Sequence, residues 1–282
     1  MGVELKTAFI DIGELGWSMY VNAHIRWLKQ QGDASVAVIT YPDRRCLFEG
    51  LVDIVIDVPS QFYKLFDMRK QNCLGLQYIS PDILKRFFIP YLPVGYSIPE
   101  DFIIGCKCRF GSRLVFEPYE YSEKLEGGRE ILIFPRRRLG GWYSYRNLPD
   151  SFYSQLIFKL CDEFPDLTVR TIGTKLGAYS FEIKRLNYVN WVGKNGSLQD
   201  MINRCQSAVA AVGSQSGPPK IALLQGVPTY MIGHQRQRHM KGENWMGTSV
   251  GFYQVSNSNY NNVNVDECIG EIVSFIKSSG RQ

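Results

Sequence analysis

The sequence predicts an α/β protein built from two halves, in each of which short apolar strands alternate with helices. In the first half, a strand at residues 7–12, a helix at 17–31 and a strand at 35–41 follow one another closely. Such a βαβ unit has parallel strands. A polar stretch that ends in a glycine pair separates the halves and is typical of a linker. We therefore predict two Rossmann-like domains, at residues 1–125 and 126–282.

The spacing of the apolar residues places the remaining elements. A helix is expected where apolar residues recur every three or four positions, and a strand where a short apolar run ends at a turn residue. The first half gains a third strand at 52–58. The second half is predicted to contain strands at 130–134, 167–172 and 187–192 and helices at 150–164, 197–205 and 265–277, with Ser197 capping the second of these helices.

Composition sets broad limits on function. A chain of 282 residues with 45% hydrophobic and 21% charged residues is a globular protein, and no apolar run reaches the roughly 18 residues that span a bilayer. The start has no signal-peptide pattern, so we expect a cytoplasmic protein. The seven scattered cysteines are expected to be reduced. A net charge of +5 does not require nucleic acid as a partner.

A second α/β crossover lies at residues 208–233 and carries the first candidate site. Gly213 and Gly217 allow a tight turn between strand and helix, and Ser214 and Ser216 are good N-cap residues. A helix is therefore predicted to begin near Gly217. Its exposed N–H groups and dipole at the carboxyl edge of a sheet would suit a phosphate; the alternative is an ordinary capped helix.

Three arginines follow the strand at 130–134. Arg136, Arg137 and Arg138 stand at its carboxyl end, and parallel strands present their carboxyl ends on the same edge of a sheet. Guanidinium groups match the paired oxygens of phosphate. Together with a helix N-terminus they predict a diphosphate site, whereas the alternative for at least one of them is a solvated basic loop.

The end of the first strand supplies candidate bases. Asp11 and Glu14 lie at the carboxyl end of strand 7–12, and a carboxylate whose pKa is raised by burial can act as a general base. Glu14 is flanked by glycines and free to point into a crevice, whereas Asp11 is also suited to capping a helix. Trp17 is either a core residue or a platform for an apolar sugar face.

The polar loop at residues 234–245 is a candidate lid or binding loop. It contains Arg238, Lys241 and Asn244, while His234 and His239 are five residues apart, the wrong spacing for two metal ligands on one helical face. The chain also lacks an Asp-x-Asp motif, a P-loop and a Gly-x-Gly-x-x-Gly turn. We therefore predict a diphosphate bound without a metal ion.

These residues resemble glycosyltransferases of the B-type (GT-B) fold, in particular the heptosyltransferase-like branch. The resemblance rests on the arginine strand end, on Asn190-Trp191-Val192-Gly193 and on Val212-Gly213-Ser214-Gln215-Ser216-Gly217 before an apolar helix. Gly13-Glu14-Leu15-Gly16-Trp17 is similar to a Gly-Glu-Phe-Gly-Trp signature of bacterial and viral relatives. The resemblance to this family implies two Rossmann-like domains that face each other across a cleft. The first domain would bind the acceptor and the second the nucleotide sugar.

The resemblance also implies roles for particular residues. The donor diphosphate would be bound by the three arginines and residues 214–217, that is Ser214, Gln215, Ser216 and Gly217, and the nucleobase by Val192 and Gly193. Where the heptosyltransferase-like pattern has an aspartate after the second glycine this chain has Trp17, so Glu14, or failing that Asp11, is the expected base. Trp17, Arg238, Lys241 and Asn244 would contact the acceptor or form the lid.

The function predicted in this way is that of a hexosyl- or pentosyltransferase of polysaccharide biosynthesis. It would be metal-independent and inverting, with a nucleotide sugar and a glycan acceptor as substrates and no other cofactor. Two alternatives stay open at this point. One is a nucleotide-sugar epimerase with the same two domains, and the other is a non-catalytic module that binds a nucleotide sugar or a glycan.

Overall fold

A computed structural model of the chain describes residues 3–4, 7–11, 35–58, 96–97, 103–104, 128–139, 144–194, 196–234, 236, 248–256 and 259–279, with isolated positions between 15 and 32. The chain divides into two compact units, Met1–Glu117 and Pro118–Gln282. The predicted boundary between residues 125 and 126 lies outside the described residues. No helix in the described part of the chain is both long and apolar enough to cross a membrane.

The N-terminal unit contains a four-stranded parallel sheet. Its strands are β2 (Thr7–Asp11), β3 (Val36–Thr40), β4 (Ile54–Asp57) and β6 (Ile103–Ile104), in the order β4-β3-β2-β6, while β1 (Val3–Glu4) pairs with β5 (Tyr96–Ser97). β3 is buried along its whole length, as expected for a parallel strand covered on both faces. The described residues between β2 and β3 are helical from Leu15 to Lys29, so the predicted βαβ unit with parallel strands is confirmed.

The C-terminal unit contains a six-stranded sheet in which all neighbouring strands are parallel. The strands are β7 (Glu130–Phe134), β8 (Thr168–Gly173), β9 (Tyr188–Val192), β10 (Ala208–Ser214), β11 (Thr229–Gly233) and β12 (Val250–Gln254), and the described helices are α1 (Asp150–Glu163), α2 (Leu198–Gln206), α3 (Gly217–Leu224) and α4 (Val265–Ser279). The spatial order is β12-β11-β10-β7-β8-β9. The chain therefore builds the sheet outward in both directions from β7 and β10.

Helices cover both faces of this sheet. α1 and α4 contact each other and share one apolar core with inward residues of the strands, including Ile133, Val212 and Ile232. α3 begins against the opposite face, where a Cβ on Gly213 would lie 2.6 Å from the Pro219 ring and 3.1 Å from Phe134 Cβ. Only glycine allows this close approach, so Gly213 sets the distance between helix and strand.

The start of α2 follows from local sequence. The Ser197 hydroxyl accepts a hydrogen bond from the Asp200 N–H at 3.1 Å, and the Asp200 carboxylate accepts one from the Ser197 N–H at 2.7 Å. This reciprocal pair is a capping box, which satisfies two N–H groups that the helix itself cannot. The predicted cap at Ser197 is confirmed.

Candidate functional site

The candidate site lies where the strand order of the C-terminal sheet reverses. β7 and β10 are neighbours, and Gly213 is level with Phe134. From these two strands the chain proceeds to opposite edges of the sheet. In open α/β sheets, ligands bind outside the carboxyl ends of the strands at such a reversal. Arg136 follows β7 and Ser214 ends β10, so the two predicted groups flank the reversal.

The three arginines after β7 have different environments. Arg136 is partly buried, and its Nη1 donates to Asn147 Oδ1 at 2.7 Å. The Asn147 side chain also accepts from the N–H of Arg138 and donates to its carbonyl oxygen, so it holds the whole loop. Arg137 is exposed, and its guanidinium lies 5.6 Å from the centre of the Tyr179 ring. Arg136 is therefore the arginine that local structure fixes at the strand reversal.

Helix α3 begins at Gly217, as predicted, but its N-cap is unusual. Ser216 occupies the N-cap position without capping the helix, and its hydroxyl donates instead to the Ser214 carbonyl at 3.0 Å. The expectation that Ser216 caps through its side chain is wrong. A capping hydroxyl accepts from the N–H of the second or third helical residue, and here those residues are Pro218 and Pro219, which have no N–H.

The turn before α3 offers a ligand fewer N–H groups than predicted. The Gln215 N–H donates to the Ile232 carbonyl at 2.8 Å and extends the sheet. The Gln215 side chain is buried, and its Oε1 accepts from the His234 N–H at 3.3 Å. In the described part of the chain the N–H groups of Ser216 and Gly217 have no protein acceptor, so the helix offers two donors where four are usual.

Two buried hydroxyls lie beside this turn. Tyr153, from the first turn of α1, and Ser214 are both fully buried, and within the described structure neither hydroxyl makes a hydrogen bond of ordinary geometry. Burial raises the pKa of Tyr153, and the Ser214 hydroxyl and Arg136 lie close enough to oppose that shift. Unpaired buried hydroxyls are costly. Their position at the strand reversal, with Arg136 acting on Tyr153, indicates a site that a polar ligand completes.

Sequence reasoning missed two cations of the same region. Lys220 lies in the first turn of α3 and is almost fully buried. Arg146 ends a short 3₁₀ helix, Ser144–Arg146, and its charge reaches the side chains of both His234 and Tyr260. Lys220 had a usable signal, since a lysine in the first turn opposes the helix dipole. Arg146 had none, because short 3₁₀ segments carry no clear sequence pattern.

His234 and Tyr260 form a side-chain pair at the end of β11. His234 Nδ1 lies 2.8 Å from Tyr260 Oη, and the Gln254 side chain donates to the His234 carbonyl at 2.9 Å. Burial, and then the charge of Arg146, lower the pKa of His234. Burial raises the pKa of the Tyr260 hydroxyl to about 12, although Arg146 and Arg136 act against this shift. Burial and the charge of Arg146 therefore both disfavour protonation of the His234 imidazole.

The predicted nucleobase residues lie at the outer edge of the same sheet. Gly193 has a φ of +70°, and its N–H donates to the Gly173 carbonyl at 2.9 Å. The Val192 N–H lies 3.1 Å from Asn190 Oδ1, which accepts it. Three strand spacings, about 14 Å, separate the end of β9 from the end of β10. Both N–H groups are thus engaged within the protein.

Asp11 lies at the carboxyl end of β2 in the N-terminal unit and is 1% exposed. Its Oδ1 accepts from the Ser18 hydroxyl at 3.0 Å and its Oδ2 from the Thr40 hydroxyl at 2.9 Å. Arg44 Nη1 is 4.0 Å from Oδ1 and donates to the Ser18 hydroxyl at 3.0 Å. Burial raises the pKa of Asp11, and the charge of Arg44 partly opposes this.

The other predicted residues lie outside the described part of the chain. These are Glu14 and Trp17 in the first half and Arg238, Lys241 and Asn244 in the polar loop. Among the described residues, no group of three histidine, cysteine or carboxylate side chains is arranged to hold a metal ion.

Comparison with known proteins identifies the fold. No protein-family model matches the chain, and no curated protein matches it either. Solved structures do match over nearly the whole chain. The ADP-heptose lipopolysaccharide heptosyltransferase II of E. coli superposes with a TM-score of 0.60 at 12% identity, covering 98% of each chain.

Two further structures agree with this result. A family 9 glycosyltransferase of Veillonella parvula has a TM-score of 0.58 at 7% identity and covers 99% of both chains. The E. coli heptosyltransferase WaaC, solved with ADP, has a TM-score of 0.57 at 9% identity and covers 98% of this chain and 100% of its own. The predicted α/β fold of GT-B glycosyltransferases is therefore confirmed.

Proposed function

We propose that this chain is a glycosyltransferase that moves a hexosyl or pentosyl group from a nucleotide diphosphate sugar to a hydroxyl of a glycan or other acceptor. The observation that carries the proposal is that the charges of Arg136 and Arg146 both reach Tyr260, and that α3 starts at the strand reversal without a side-chain cap and with Lys220 in its first turn. Cations and exposed N–H groups at such a position suit a diphosphate. The likeness in fold to heptosyltransferases is consistent with this role.

The cations would act on the leaving group. When the bond between sugar and diphosphate breaks, negative charge grows on the diphosphate oxygens, and fixed positive groups stabilise that charge more than the ground state. Arg136 is suited to this because Asn147 already fixes its guanidinium. The two N–H groups of Ser216 and Gly217 add to it, and Lys220 supplies the positive charge where Pro218 and Pro219 lack N–H groups.

The acceptor hydroxyl would be deprotonated by a carboxylate of the N-terminal unit. We assign this base to Glu14, since both oxygens of Asp11 already accept hydrogen bonds from Ser18 and Thr40. Asp11 would then fix the strand end from which the Glu14 loop leaves. A base on the side of the sugar opposite the diphosphate gives inversion at the anomeric carbon. Trp17 would contact the acceptor.

The nucleotide would extend along the carboxyl edge of the C-terminal sheet, from the diphosphate at β10 towards Val192 and Gly193 at β9. Because the N–H groups of these two residues are engaged, the base would be contacted by carbonyl oxygens or neighbouring side chains. The loop with Arg238, Lys241 and Asn244 would close over the bound substrates and exclude water.

The proposal is tested with a panel of nucleotide sugars and glycan acceptors in the presence of EDTA. We expect a nucleoside diphosphate to be released only when an acceptor is present, and at an unchanged rate in EDTA. Sugar rearrangement without an acceptor would identify an epimerase instead, and binding without turnover would identify a non-catalytic module. If no nucleotide sugar binds or raises the melting temperature, the proposal fails.

Matched variants locate the site. We expect Arg136→Gln to lower turnover by about 100-fold or more, similar to the loss of one preorganised donor from an oxyanion hole. Arg185→Gln is the control, because Arg185 is exposed and paired with Asp162 before the amino end of β9. Lys220→Met has a similar control in Lys159→Met, which removes an exposed lysine from α1. Equal losses in a variant and its control would contradict the assignment.

A further inference from the structure

The side chain of His234 distinguishes this site from one built only of permanent charges. His234 follows β11 and is linked to the turn before α3 through the bond from its N–H to Gln215 Oε1. Of the described groups around the strand reversal, it is the one whose ordinary pKa lies near neutral pH. Arginine and lysine keep their charge there, whereas the charge of an imidazole depends on what lies beside it.

We propose that His234 binds the donor diphosphate through its Nε2 and takes up one proton from solvent as the nucleotide sugar binds. This inference rests on the proposed function and names a further residue of the same site. The Nδ1 atom is already committed to Tyr260 Oη at 2.8 Å, so Nε2 is the atom left for a ligand. In the described part of the chain, the imidazole of His234 has no polar partner other than the Tyr260 hydroxyl.

The proton balance is simple because Tyr260 can reverse its role. In the neutral ring one nitrogen carries a hydrogen, and the Tyr260 hydroxyl can donate to Nδ1 or accept from it. Once a second proton arrives, both nitrogens donate, Nδ1–H to Tyr260 Oη and Nε2–H to a diphosphate oxygen. Tyr260 is fully buried, and its ring lies against the His234 ring in an edge-to-face arrangement, so it holds the imidazole in place.

The groups that face His234 explain why the ligand is needed. On the 3₁₀ helix Ser144–Arg146, Arg146 opposes protonation by its charge, and Tyr145 packs against Tyr260. The turn before α3 contributes neutral Gln215, β12 contributes neutral Gln254, and Arg136 acts on Tyr260 from the end of β7. No described carboxylate raises the pKa of His234. A bound dianion would reverse this balance.

Protonation of His234 makes the affinity for the donor depend on pH. The pKa of His234 lies below its ordinary value of about 6.5 in the free protein, and an adjacent diphosphate raises it in the complex. Binding then takes up a proton at any pH between the two values. Donor affinity therefore increases as the pH falls through this window, by at most about tenfold for each pH unit.

Calorimetry with ADP-glucose and UDP-glucose as probes tests the proposal. The diphosphate of a nucleotide sugar is a diester and has no ionisation near neutral pH, so it contributes no proton of its own. Titrations in two buffers of different ionisation enthalpy count the protons taken up. We expect an uptake of roughly half a proton at pH 7 and affinity about tenfold tighter at pH 6 than at pH 8.

Variants and NMR separate the possible outcomes. His234→Gln should bind the donor more weakly at pH 6, by about tenfold, and should lose both the proton uptake and the pH dependence of affinity. His24→Gln, which removes a histidine of the first half, should keep the wild-type affinity and proton uptake. The chain has three histidines, so the imidazole signals can be resolved, and that of His234 should show a higher pKa with ADP-glucose or UDP-glucose than without it. Tyr260→Phe should reduce this increase.

The experiments distinguish a failure of the His234 proposal from a failure of the proposed function. If a probe binds without proton uptake, or if His234→Gln takes up protons like the wild-type protein, the role of His234 is refuted while the proposed function stands. If no nucleotide sugar binds at any pH, the proposed function itself fails.

Discussion

Each unit has a buried polar cluster at the carboxyl end of a central strand, and the two clusters differ in how completely their polar groups are hydrogen-bonded. At the end of β2, the buried Asp11 carboxylate has a donor for each oxygen and Arg44 nearby. At the end of β10, the buried Ser214 and Tyr153 hydroxyls lie close to each other and to Arg136, but within the described structure neither makes a hydrogen bond of ordinary geometry. The first cluster is complete without a ligand, and the second is not.

This difference has an energetic meaning. A buried network in which every polar group is hydrogen-bonded stabilises the fold. Removing one member leaves the others buried without a partner, which costs free energy. A buried hydroxyl without a hydrogen-bond partner destabilises the fold until a ligand supplies that partner. Sites for ligands commonly retain such strain at the expense of stability. The comparison therefore predicts opposite effects of mutation at the two strand ends.

The largest effect is expected at the satisfied cluster. Asp11→Ala leaves the buried Ser18 and Thr40 hydroxyls without their acceptor and removes the carboxylate beside Arg44, and it should lower the free energy of unfolding by about 3 kcal/mol. Chemical denaturation measures this change. Asp57→Ala is the control, because the ion pair of Asp57 with Arg45 is exposed and worth less than about 1 kcal/mol. Equal costs in the two variants would contradict the comparison.

The strand reversal depends on the close contact at Gly213. Gly213→Ala puts a methyl group 2.6 Å from the Pro219 ring and should destabilise the protein by about 2 kcal/mol, since the helix must move away from the sheet. It should also weaken nucleotide-sugar binding. Gly270→Ala in α4 meets no atom within 4 Å and should stabilise by about 1 kcal/mol. Thermal and denaturant unfolding of both variants provide the measurement.

Removal of the unpaired hydroxyls should have a smaller effect of the opposite sign. Ser214→Ala and Tyr153→Phe should leave the free energy of unfolding unchanged or raise it by up to about 1 kcal/mol, while ADP-glucose or UDP-glucose binds less tightly. Ser35→Ala removes another unpaired buried hydroxyl, next to β3, and should leave binding unchanged. A clear loss of stability in Ser214→Ala would show that its hydroxyl already has a partner.

The last prediction concerns the sign of the pH dependence of stability at Asp11. Its pKa is raised in the folded protein, so the folded state holds the proton more tightly, and stability from this group is lost as the pH rises through the folded pKa. Relative to Asp11→Asn, the wild-type protein should be more stable near pH 4 than at pH 7, by at most about 1.4 kcal/mol for each pH unit. Denaturation at both pH values checks the sign.

Much of the fold could be predicted because its determinants are local. The strands predicted at 130–134, 167–172 and 187–192 begin and end within one residue of those bounds, whereas β12 was not predicted. The cap at Ser197 depends on a residue three positions away, and α3 starts at Gly217. Apolar periodicity and turn residues carry this information along the chain. The roles of Glu14, Trp17, Arg238, Lys241 and Asn244 stay predictions.

The site was only half predictable for the same reason. Arg136 and residues 214–217 were identified because parallel strands bring their carboxyl ends together, a rule that needs no coordinates. The absence of a serine cap could also have been predicted, because Pro218 and Pro219 are visible in the sequence and lack the N–H groups that such a cap needs.

The sequence by itself determined the alternation of strands and helices, the position of the crossover and the charges available at the strand ends, because each depends on neighbours along the chain. Only the tertiary structure decided that Arg146, His234 and Tyr260 converge and that Arg137 turns to Tyr179. His234 and Tyr260 are 26 residues apart. Contacts over such distances are set by packing and burial, which no local pattern encodes.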